Sequence, residues 1–260
     1  MSPVVLNYGG GTNSTALLIG MRDRGERPDL VIFSDTGGER PETYEYLDTI
    51  SEWLKREMGL PLTVVRWIRK DGTFISLEDW CHRHGQLPSL AYGMKGCSVK
   101  WKAQPIDKYV RKQWEPGIKA VESGGKIIRL LGYDADEPHR VGRGGSGPGD
   151  IWDFQYPLVS WGWGREECVD AVKKAGLPSP GKSSCFFCPA MKKPEIIELN
   201  RTHPELIDRA IAIEQSAEKY NRTAAGLGRR WSWSDLIKSD EAQMKMFKDR
   251  TDLPCGCYDG

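Results

Sequence analysis

The chain has 260 residues, of which 39% are hydrophobic and 28% charged, and its formal net charge is +1. This composition is typical of a globular protein with a proper core and excludes long disorder. A charge near zero gives no general electrostatic reason to expect a nucleic-acid or membrane partner. No apolar run approaches the roughly 18 residues of a membrane span. No basic segment precedes a long apolar stretch, so we expect a cytoplasmic protein.

The first predicted β-loop-α unit contains a glycine-rich turn. An apolar strand at residues 4–7 leads into this turn, and a helix is expected near residues 14–24, closed by Gly25. The turn consists of Tyr8, Gly9, Gly10, Gly11, Thr12, Asn13, Ser14 and Thr15. Consecutive glycines let the backbone approach a ligand closely, and the polar residues after them are predicted to cap a helix whose free N–H groups face an anion. The alternative is a tight connection without a ligand.

A second polar turn follows the apolar strand at residues 30–34 and reads Asp35, Thr36, Gly37. The helix after it is predicted to begin at Pro41. Because parallel strands end at the same edge of a sheet, we expect the two turns to lie side by side. Asp35 has two interpretations: it faces a ligand there, or it caps its own turn.

Further strands are predicted at residues 62–65 and 127–131, and the alternation of strands with helices indicates an α/β fold with a doubly wound parallel sheet of four or five strands. The glycine-rich run at residues 141–150 is predicted to be a mobile loop or lid. We place a boundary there, between an α/β domain at residues 1–150 and a helical, cysteine-containing C-terminal region at residues 151–260.

Five of the seven cysteines are candidate metal ligands. They are Cys97, Cys185, Cys188, Cys255 and Cys257. Thiolates at such spacing hold zinc or an iron–sulfur cluster, and the spacing alone does not separate the two. The pair at 185 and 188 is also compatible with two bare thiols. The other two cysteines, Cys81 and Cys168, lie in helical patterns and are predicted to be small buried hydrophobes.

Several of these segments resemble one enzyme family. The glycine-rich turn is similar to the Ser-Gly-Gly-x-Asp-Ser loop of the ATP pyrophosphatases, with Gly9 and Asn13 in place of the serine and the aspartate. The segment from Val31 to Tyr44 resembles the second motif of the phosphoadenosine phosphosulfate (PAPS) reductase family. The likeness continues at residues 96–105, at Gly132, and at the Cys-x-x-Cys that starts at Cys185, and so covers the chain from residue 4 to about residue 190.

This resemblance implies a PP-loop, HUP-like fold that binds ATP or PAPS across the sheet edge, with Mg²⁺. The nucleotide-binding residues it implies are Tyr8, Gly9, Gly10, Gly11, Thr12, Asn13, Ser14, Asp35, Thr36, Gly37, Gly132 and Arg140. It implies a [4Fe-4S] cluster on Cys97, Cys185 and Cys188, with a fourth ligand from Cys255, Cys257 or an exchangeable sulfur; zinc is the alternative. Asp35, Cys255 and Cys257 are the candidate catalytic residues.

A single cysteine before Lys-x-x-Pro, followed by one Cys-x-x-Cys, looks closer to the branch related to DNA phosphorothioation enzymes. That likeness implies ATP-dependent, AMP-forming sulfur transfer to an acceptor, a nucleic acid among the candidates. The first alternative is a sulfonucleotide reductase that releases sulfite and uses an electron-donor protein, although Tyr133 and Asp134 stand where such reductases carry sulfate-binding arginines. The second is a noncatalytic nucleotide- or zinc-binding protein, suggested by Asn13.

Overall fold

The computed structural model describes residues 2–142, 150–220 and 223–251. Within it the chain forms two compact units. Unit 1 comprises Met1–Ser76 and Ser98–Cys185, and unit 2 comprises Leu77–Cys97 and Phe186–Gly260. Most of the predicted lid at residues 141–150 and both tail cysteines, Cys255 and Cys257, lie outside the described residues.

Unit 1 is built on a five-stranded parallel sheet. Its strands are β1 (Val4–Tyr8), β2 (Leu30–Asp35), β3 (Leu62–Arg66), β4 (Ile127–Leu131) and β5 (Trp152–Gln155). Their order in the sheet is β3-β2-β1-β4-β5, and every neighbouring pair is parallel. The chain therefore adds β2 and β3 on one side of β1 and then adds β4 and β5 on the other side of β1. This confirms the predicted doubly wound parallel sheet.

Helices cover both faces of this sheet. The helices of unit 1 are α1 (Thr12–Asp23), α2 (Pro41–Met58), α4 (Gln104–Lys112), α5 (Glu115–Glu122), α6 (Pro157–Ser160) and α7 (Arg165–Lys174), and those of unit 2 are α3 (Leu77–His84), α8 (Lys193–Thr202), α9 (Pro204–Glu218) and α10 (Trp233–Thr251). On one face, α1, α2 and α7 bury apolar side chains against Leu6 and Val31. On the other, α4 and α5 pack against Val5 and Ile32. Strands with both faces covered explain the continuous apolar runs of β1 and β2.

Local sequence signals fix several helix ends as predicted. Pro41 is the first residue of α2, where its missing N–H costs nothing, and the left-handed Gly59 (φ 60°) ends that helix. Gly25 (φ 68°) closes α1 in the same way. The start of α1 differs, because it begins at Thr12, two residues before the predicted position.

The boundaries between the two units lie after Ser76, Cys97 and Cys185, and the predicted boundary is near residue 150. Strand β5 pairs with β4 from Ile127 to Leu130, so the chain beyond the glycine-rich run continues the sheet and stays in unit 1 as far as Cys185. Conversely, α3 belongs to unit 2. A π-helical turn at Ser98–Ala103 leads directly into α4.

Unit 2 is helical in its described part and has a buried carboxylate at its centre. Glu214, on α9, accepts backbone N–H bonds from Leu227 (2.7 Å), Trp233 (2.9 Å) and Ser234 (3.3 Å). These bonds fix the turn that leads into α10, since a buried acceptor must find donors. Among the described residues, no helix is both long and apolar enough to span a membrane.

Candidate functional site

The glycine-rich turn lies at the point where the strand order of unit 1 reverses. β1 has β2 on one side and β4 on the other, and the connections after β1 and after β4 leave in opposite directions. In open parallel sheets a crevice forms at such a switch point, outside the carboxyl ends of the strands, and ligands bind there. The turn after β1 and the turn after β4 are therefore the two walls of the candidate site.

The two walls touch through their backbones. A Cβ atom added to Gly132, directly after β4, would lie 3.0 Å from the backbone N of Ser14 and 3.1 Å from the carbonyl carbon of Asn13. Only glycine allows β4 to end this close to the first turn of α1 without a shift. The same first turn holds the peptide N–H groups that an anion would use.

The side chains of the turn do not cap α1, contrary to the prediction. Gly11 is the N-cap residue, and no side-chain cap bond forms. Ser14 Oγ and Thr15 Oγ1 instead donate to the carbonyl oxygen of Gly11, each at 3.0 Å. The hydroxyls thus satisfy an acceptor, and the helix N-terminus keeps its donors. Gly10 takes a left-handed conformation (φ 76°) that L side chains rarely adopt.

Tyr8 lies beneath the turn. Its ring is 3% exposed, and its hydroxyl lies 3.0 Å from Thr15 Oγ1. Burial raises the pKa of the Tyr8 phenol well above its usual range, so the group stays neutral. In this structure Tyr8 supports the turn from the core side.

Asn13 connects both walls with α7. Its amide Nδ2 donates to Asp134 Oδ2 at 2.7 Å, and its amide oxygen accepts from Arg165 Nη1 at 3.1 Å. The backbone N–H of Arg165 in turn donates to Asp136 Oδ2 at 2.7 Å. An amide meets a carboxylate and a guanidinium at the same time, whereas an aspartate at position 13 would oppose the carboxylate of Asp134.

Asp134, like Glu39 after β2, is a buried carboxylate with one unpaired oxygen at this edge. The residue is 3% exposed, and while Oδ2 accepts from Asn13, the buried Oδ1 has no hydrogen-bond partner among the described residues. A buried acceptor left unpaired costs free energy unless a ligand or water meets it. Nearby, the guanidinium of Arg140 lies 4.0 Å from the ring centre of Tyr133, which stacks on Tyr156.

Asp35, at the end of β2, is fully engaged by protein donors. Its Oδ1 accepts from the Gly37 N–H (2.7 Å) and from the Tyr44 hydroxyl (2.9 Å), and its Oδ2 accepts from Arg66 Nε (2.8 Å). Burial, followed by the charge of Asp35, raises the pKa of the Tyr44 phenol well above its usual range. This geometry matches the interpretation in which Asp35 holds its own turn.

A second group of polar side chains in unit 1 contains Thr36, Glu39, Lys102 and Cys185. The Oγ1 of Thr36 lies 3.3 Å from Glu39 Oε1 and 3.1 Å from Cys185 Sγ, and Lys102 Nζ reaches the same Glu39 oxygen at 3.2 Å. Glu39 and Cys185 also form an isolated antiparallel bridge. These contacts bring the segment before Cys185 to the glycine-rich turn, where a Cβ on Gly11 would meet Ser183 Oγ at 2.9 Å.

The described cysteines among the predicted cluster ligands are divided between the two units. Cys185 belongs to unit 1, and Cys97 and Cys188 belong to unit 2, where Cys97 Sγ lies 3.0 Å from Ser89 Oγ. Within residues 2–142, 150–220 and 223–251, no group of three or more His, Cys, Asp or Glu side chains is arranged to hold a metal ion. Because Cys255 and Cys257 lie outside the described residues, the cluster stays a prediction of the resemblance.

Cys81 and Cys168 are buried with no exposed surface, as predicted. Burial, together with the charge of Asp134, raises the pKa of the Cys168 thiol to about 12.

Sequence reasoning missed four residues that the structure brings into these groups. They are Asp134 as a half-satisfied carboxylate, Arg165, Ser183 and Glu39. The sequence position of Asp134 indicates a site residue, because it follows the end of a predicted strand and Gly132. The position of Arg165 gives no such indication, since it meets Asn13 across 152 positions of the chain.

No protein-family model matches the chain. It is 23% identical over 239 residues to the Uncharacterized protein MJ0066 of Methanocaldococcus jannaschii, a match that covers 88% of this chain and 44% of that protein. The chain therefore spans less than half the length of this curated relative. Among solved structures it is similar to the U34-tRNA thiolase NcsA from Methanococcus maripaludis with its [4Fe-4S] cluster, at 14% identity and a TM-score of 0.42, over 92% of this chain and 80% of that one. So distant a likeness says nothing about activity.

Proposed function

We propose that unit 1 binds the phosphates of ATP at the β1–β4 switch point and that the protein cleaves ATP to AMP and pyrophosphate to activate an acceptor for sulfur transfer. The observation that carries this proposal is the coincidence of the glycine-rich turn with the switch point. Ligand crevices in open parallel sheets form there. Because Gly132 contacts the first turn of α1, the two walls of the crevice meet there through backbone atoms.

The phosphates would be held mainly by peptide N–H groups. No side chain caps α1, and the hydroxyls of Ser14 and Thr15 bond to Gly11 O. An anion at an exposed helix N-terminus gains about 0.3–1 kcal/mol, and more where water is excluded. Donors fixed in this way stabilise the charge that develops on the leaving pyrophosphate, because they need no reorganisation during the reaction. Magnesium bound with the nucleotide would supply further charge stabilisation.

The acceptor's nucleophilic atom attacks the α-phosphorus, and the bond from this phosphorus to the bridging oxygen breaks with release of pyrophosphate. A sulfur nucleophile then displaces AMP from the adenylylated acceptor. The sulfur-transfer half of this proposal rests on the likeness of residues 96–105 and of the Cys-x-x-Cys at Cys185 to the PAPS reductase family. The sulfur source, the cysteine-bound cluster and a nucleic-acid acceptor remain predictions of that likeness.

The first experiment is binding of ATP to the purified full chain, prepared without oxygen, followed by assay of AMP and pyrophosphate with Mg²⁺. We expect saturable ATP binding that Gly132→Val weakens, because a branched side chain pushes β4 away from α1. The matched control is Gly181→Val, since a Cβ at Gly181 meets nothing within 4 Å. Iron and zinc analysis of the same sample tests the predicted cluster.

Three outcomes contradict the proposal in different ways. Sulfite released from PAPS, with no pyrophosphate from ATP, identifies a sulfonucleotide reductase. ATP binding without AMP formation under any acceptor and sulfur donor identifies a noncatalytic nucleotide-binding protein. Absence of nucleotide binding overturns the site itself.

A further inference from the structure

Asp35 and Asp134 are buried carboxylates that follow β2 and β4 in unit 1, and they differ in what their oxygens meet. Glu39, also buried after β2, has an unpaired Oε2, but its Oε1 is paired with Lys102 Nζ at 3.2 Å. Asp35 is 2% exposed, and its two oxygens accept from three protein donors. Asp134 is 3% exposed, and its Oδ1 accepts from none of the described residues. A buried carboxylate oxygen without a protein donor needs another partner, such as a water or a cation, whereas both oxygens of Asp35 already have donors.

The place of Asp134 in the fold puts this carboxylate beside the first turn of α1, where the phosphates are proposed to bind. Asp134 lies two residues after Gly132, whose backbone touches the first turn of α1, and its other oxygen is hydrogen-bonded to Asn13 of that turn at 2.7 Å. Asp35 follows β2, one strand away from the switch point, and is paired with Arg66 of β3. Of the two, Asp134 is the carboxylate at the crevice.

A carboxylate next to bound phosphates is unfavourable unless a cation lies between them. Mg²⁺ suits this arrangement, because it is usually held by one or two carboxylates together with substrate phosphates and waters, rather than by a cage of protein ligands. One carboxylate is then enough, which agrees with the finding that no three acidic, His or Cys side chains among the described residues form a metal site. The protein alone would bind the ion weakly, and the nucleotide would complete the site.

Asn13 holds this carboxylate in place without competing for the ion. Its Nδ2 donates to Asp134 Oδ2, and Arg165 holds the other end of the amide at 3.1 Å. The amide carries no charge, so Asn13 adds no second carboxylate beside Asp134. Because the guanidinium of Arg165 bonds to Asn13 Oδ1, it does not occupy Asp134 Oδ1.

We propose that Asp134 is the protein ligand of the divalent cation that accompanies the bound nucleotide, and that Asn13 orients it. This inference rests on the proposed function, because the cation site is complete only with phosphates in the crevice. It assigns the cation to the end of β4 rather than to the conspicuous Asp-Thr-Gly turn after β2.

The test uses Mn²⁺ in place of Mg²⁺ and the substitution Asp134→Asn, which keeps an acceptor for Asn13 and removes the charge. Mn²⁺ binding to the full chain, with and without ATP, is followed by electron paramagnetic resonance. ATP affinity is measured separately in EDTA and in Mg²⁺. Asp153→Asn is the matched control, because Asp153 is an exposed carboxylate on β5 of the same sheet.

We expect Asp134→Asn to weaken Mn²⁺ binding to the ATP complex by about tenfold or more, which corresponds to at least about 1.4 kcal/mol. In EDTA the same variant should bind ATP as tightly as the unchanged chain or more tightly, because a negative charge beside the phosphates is gone. A purely structural role would lower ATP affinity in both conditions. Asp153→Asn should change neither measurement.

Unchanged Mn²⁺ affinity in Asp134→Asn overturns the inference and leaves the nucleotide site intact. Equal loss of ATP affinity in EDTA and in Mg²⁺ also overturns it, since the residue then only supports the fold. If the unchanged chain binds no ATP in either condition, the proposed function and the inference fall together. If Asp134→Asn lowers the unfolding temperature, Asp134→Glu is measured as well. That second variant should retain Mn²⁺ binding if the carboxylate is the ligand.

Discussion

The ends of β2 and β4 both carry a buried carboxylate, but the two carboxylates differ in their hydrogen bonds. Each carries a buried carboxylate, Asp35 at 2% exposure and Asp134 at 3%, and each is followed by a turn. Both oxygens of Asp35 are bonded within the protein, while one oxygen of Asp134 is left without a partner in the described chain. The comparison teaches that a recognisable motif and an available ligand group are separate properties, and only the hydrogen-bond inventory distinguishes them.

The largest expected effect is on nucleotide binding at the β4 end. Gly132→Val places a branched side chain against the backbone of Asn13 and Ser14, which a Cβ alone would already approach to 3.0 Å. We expect ATP affinity to fall about a hundredfold, or about 2.7 kcal/mol. Isothermal titration calorimetry measures it beside Gly181→Val. Equal affinities in the two variants would show that the crevice between β1 and β4 is not the phosphate site.

The next effect is on stability, at the β2 end. Asp35→Asn removes the ion pair with Arg66 and leaves an NH₂ group facing a donor, so we expect the free energy of unfolding to fall by about 1–3 kcal/mol. The lower part of that range is favoured because the Arg66 side chain is 51% exposed and therefore screened. Urea unfolding measures the change. A variant as stable as the unchanged chain would contradict a structural role for Asp35.

Another buried carboxylate, Glu214 in unit 2, extends the comparison to the pH dependence of stability. Burial raises its pKa above the ordinary glutamate value even though three backbone N–H groups bond to it. The folded state therefore binds the proton more tightly than the unfolded state does. Its contribution to stability is complete below the unfolded pKa and is lost as pH rises through the raised folded pKa.

Glu214→Gln should abolish this loss, because glutamine does not ionise. We expect the unfolding free energies of the variant and the unchanged chain to converge in acid and to separate as pH rises above about 4.3, with the variant changing less. Denaturant unfolding at several pH values tests it. Parallel curves would mean that Glu214 has the same pKa in both states.

The smallest effect concerns Cys168, whose thiol pKa is raised by burial and then by the charge of Asp134. Its pKa of about 12 keeps the thiol protonated near neutral pH, and the side chain is fully buried. We expect no alkylation of Cys168 in the native chain, whereas Cys97, which is partly exposed, should react. Mass spectrometry after iodoacetamide treatment distinguishes them. Labelling of both at one rate would contradict the packing of α7 on the sheet.

Much of the fold was predictable because its signals are local. The apolar runs of β1 and β2, Pro41 at a helix start and the glycines at helix ends each act within a few residues. Strand β5 was not placed, since its four residues, Trp152–Gln155, are too short to show an alternation. The boundary near residue 150 was misplaced for the same reason: the pairing of β5 with β4 keeps the following chain in unit 1.

The candidate site was predictable only in part. The glycine-rich turn and Gly132 stand out in the sequence because their backbone conformations and close contacts demand glycine. The contact of Asn13 with Asp134 spans 121 positions, and that with Arg165 spans 152, so neither leaves a local pattern. Whether the second oxygen of a carboxylate has a hydrogen-bond donor depends on all its neighbours in space, and a sequence motif does not record these.

The most direct test of the central claim is hydrogen exchange of the backbone amides with and without ATP and Mg²⁺. If the phosphates lie at the β1–β4 switch point, ATP will slow exchange at residues 9–14 and at the turn that starts at Gly132. The turn at residues 35–37 will then change little. Protection confined to residues 35–37, or no protection in either turn, would contradict the account.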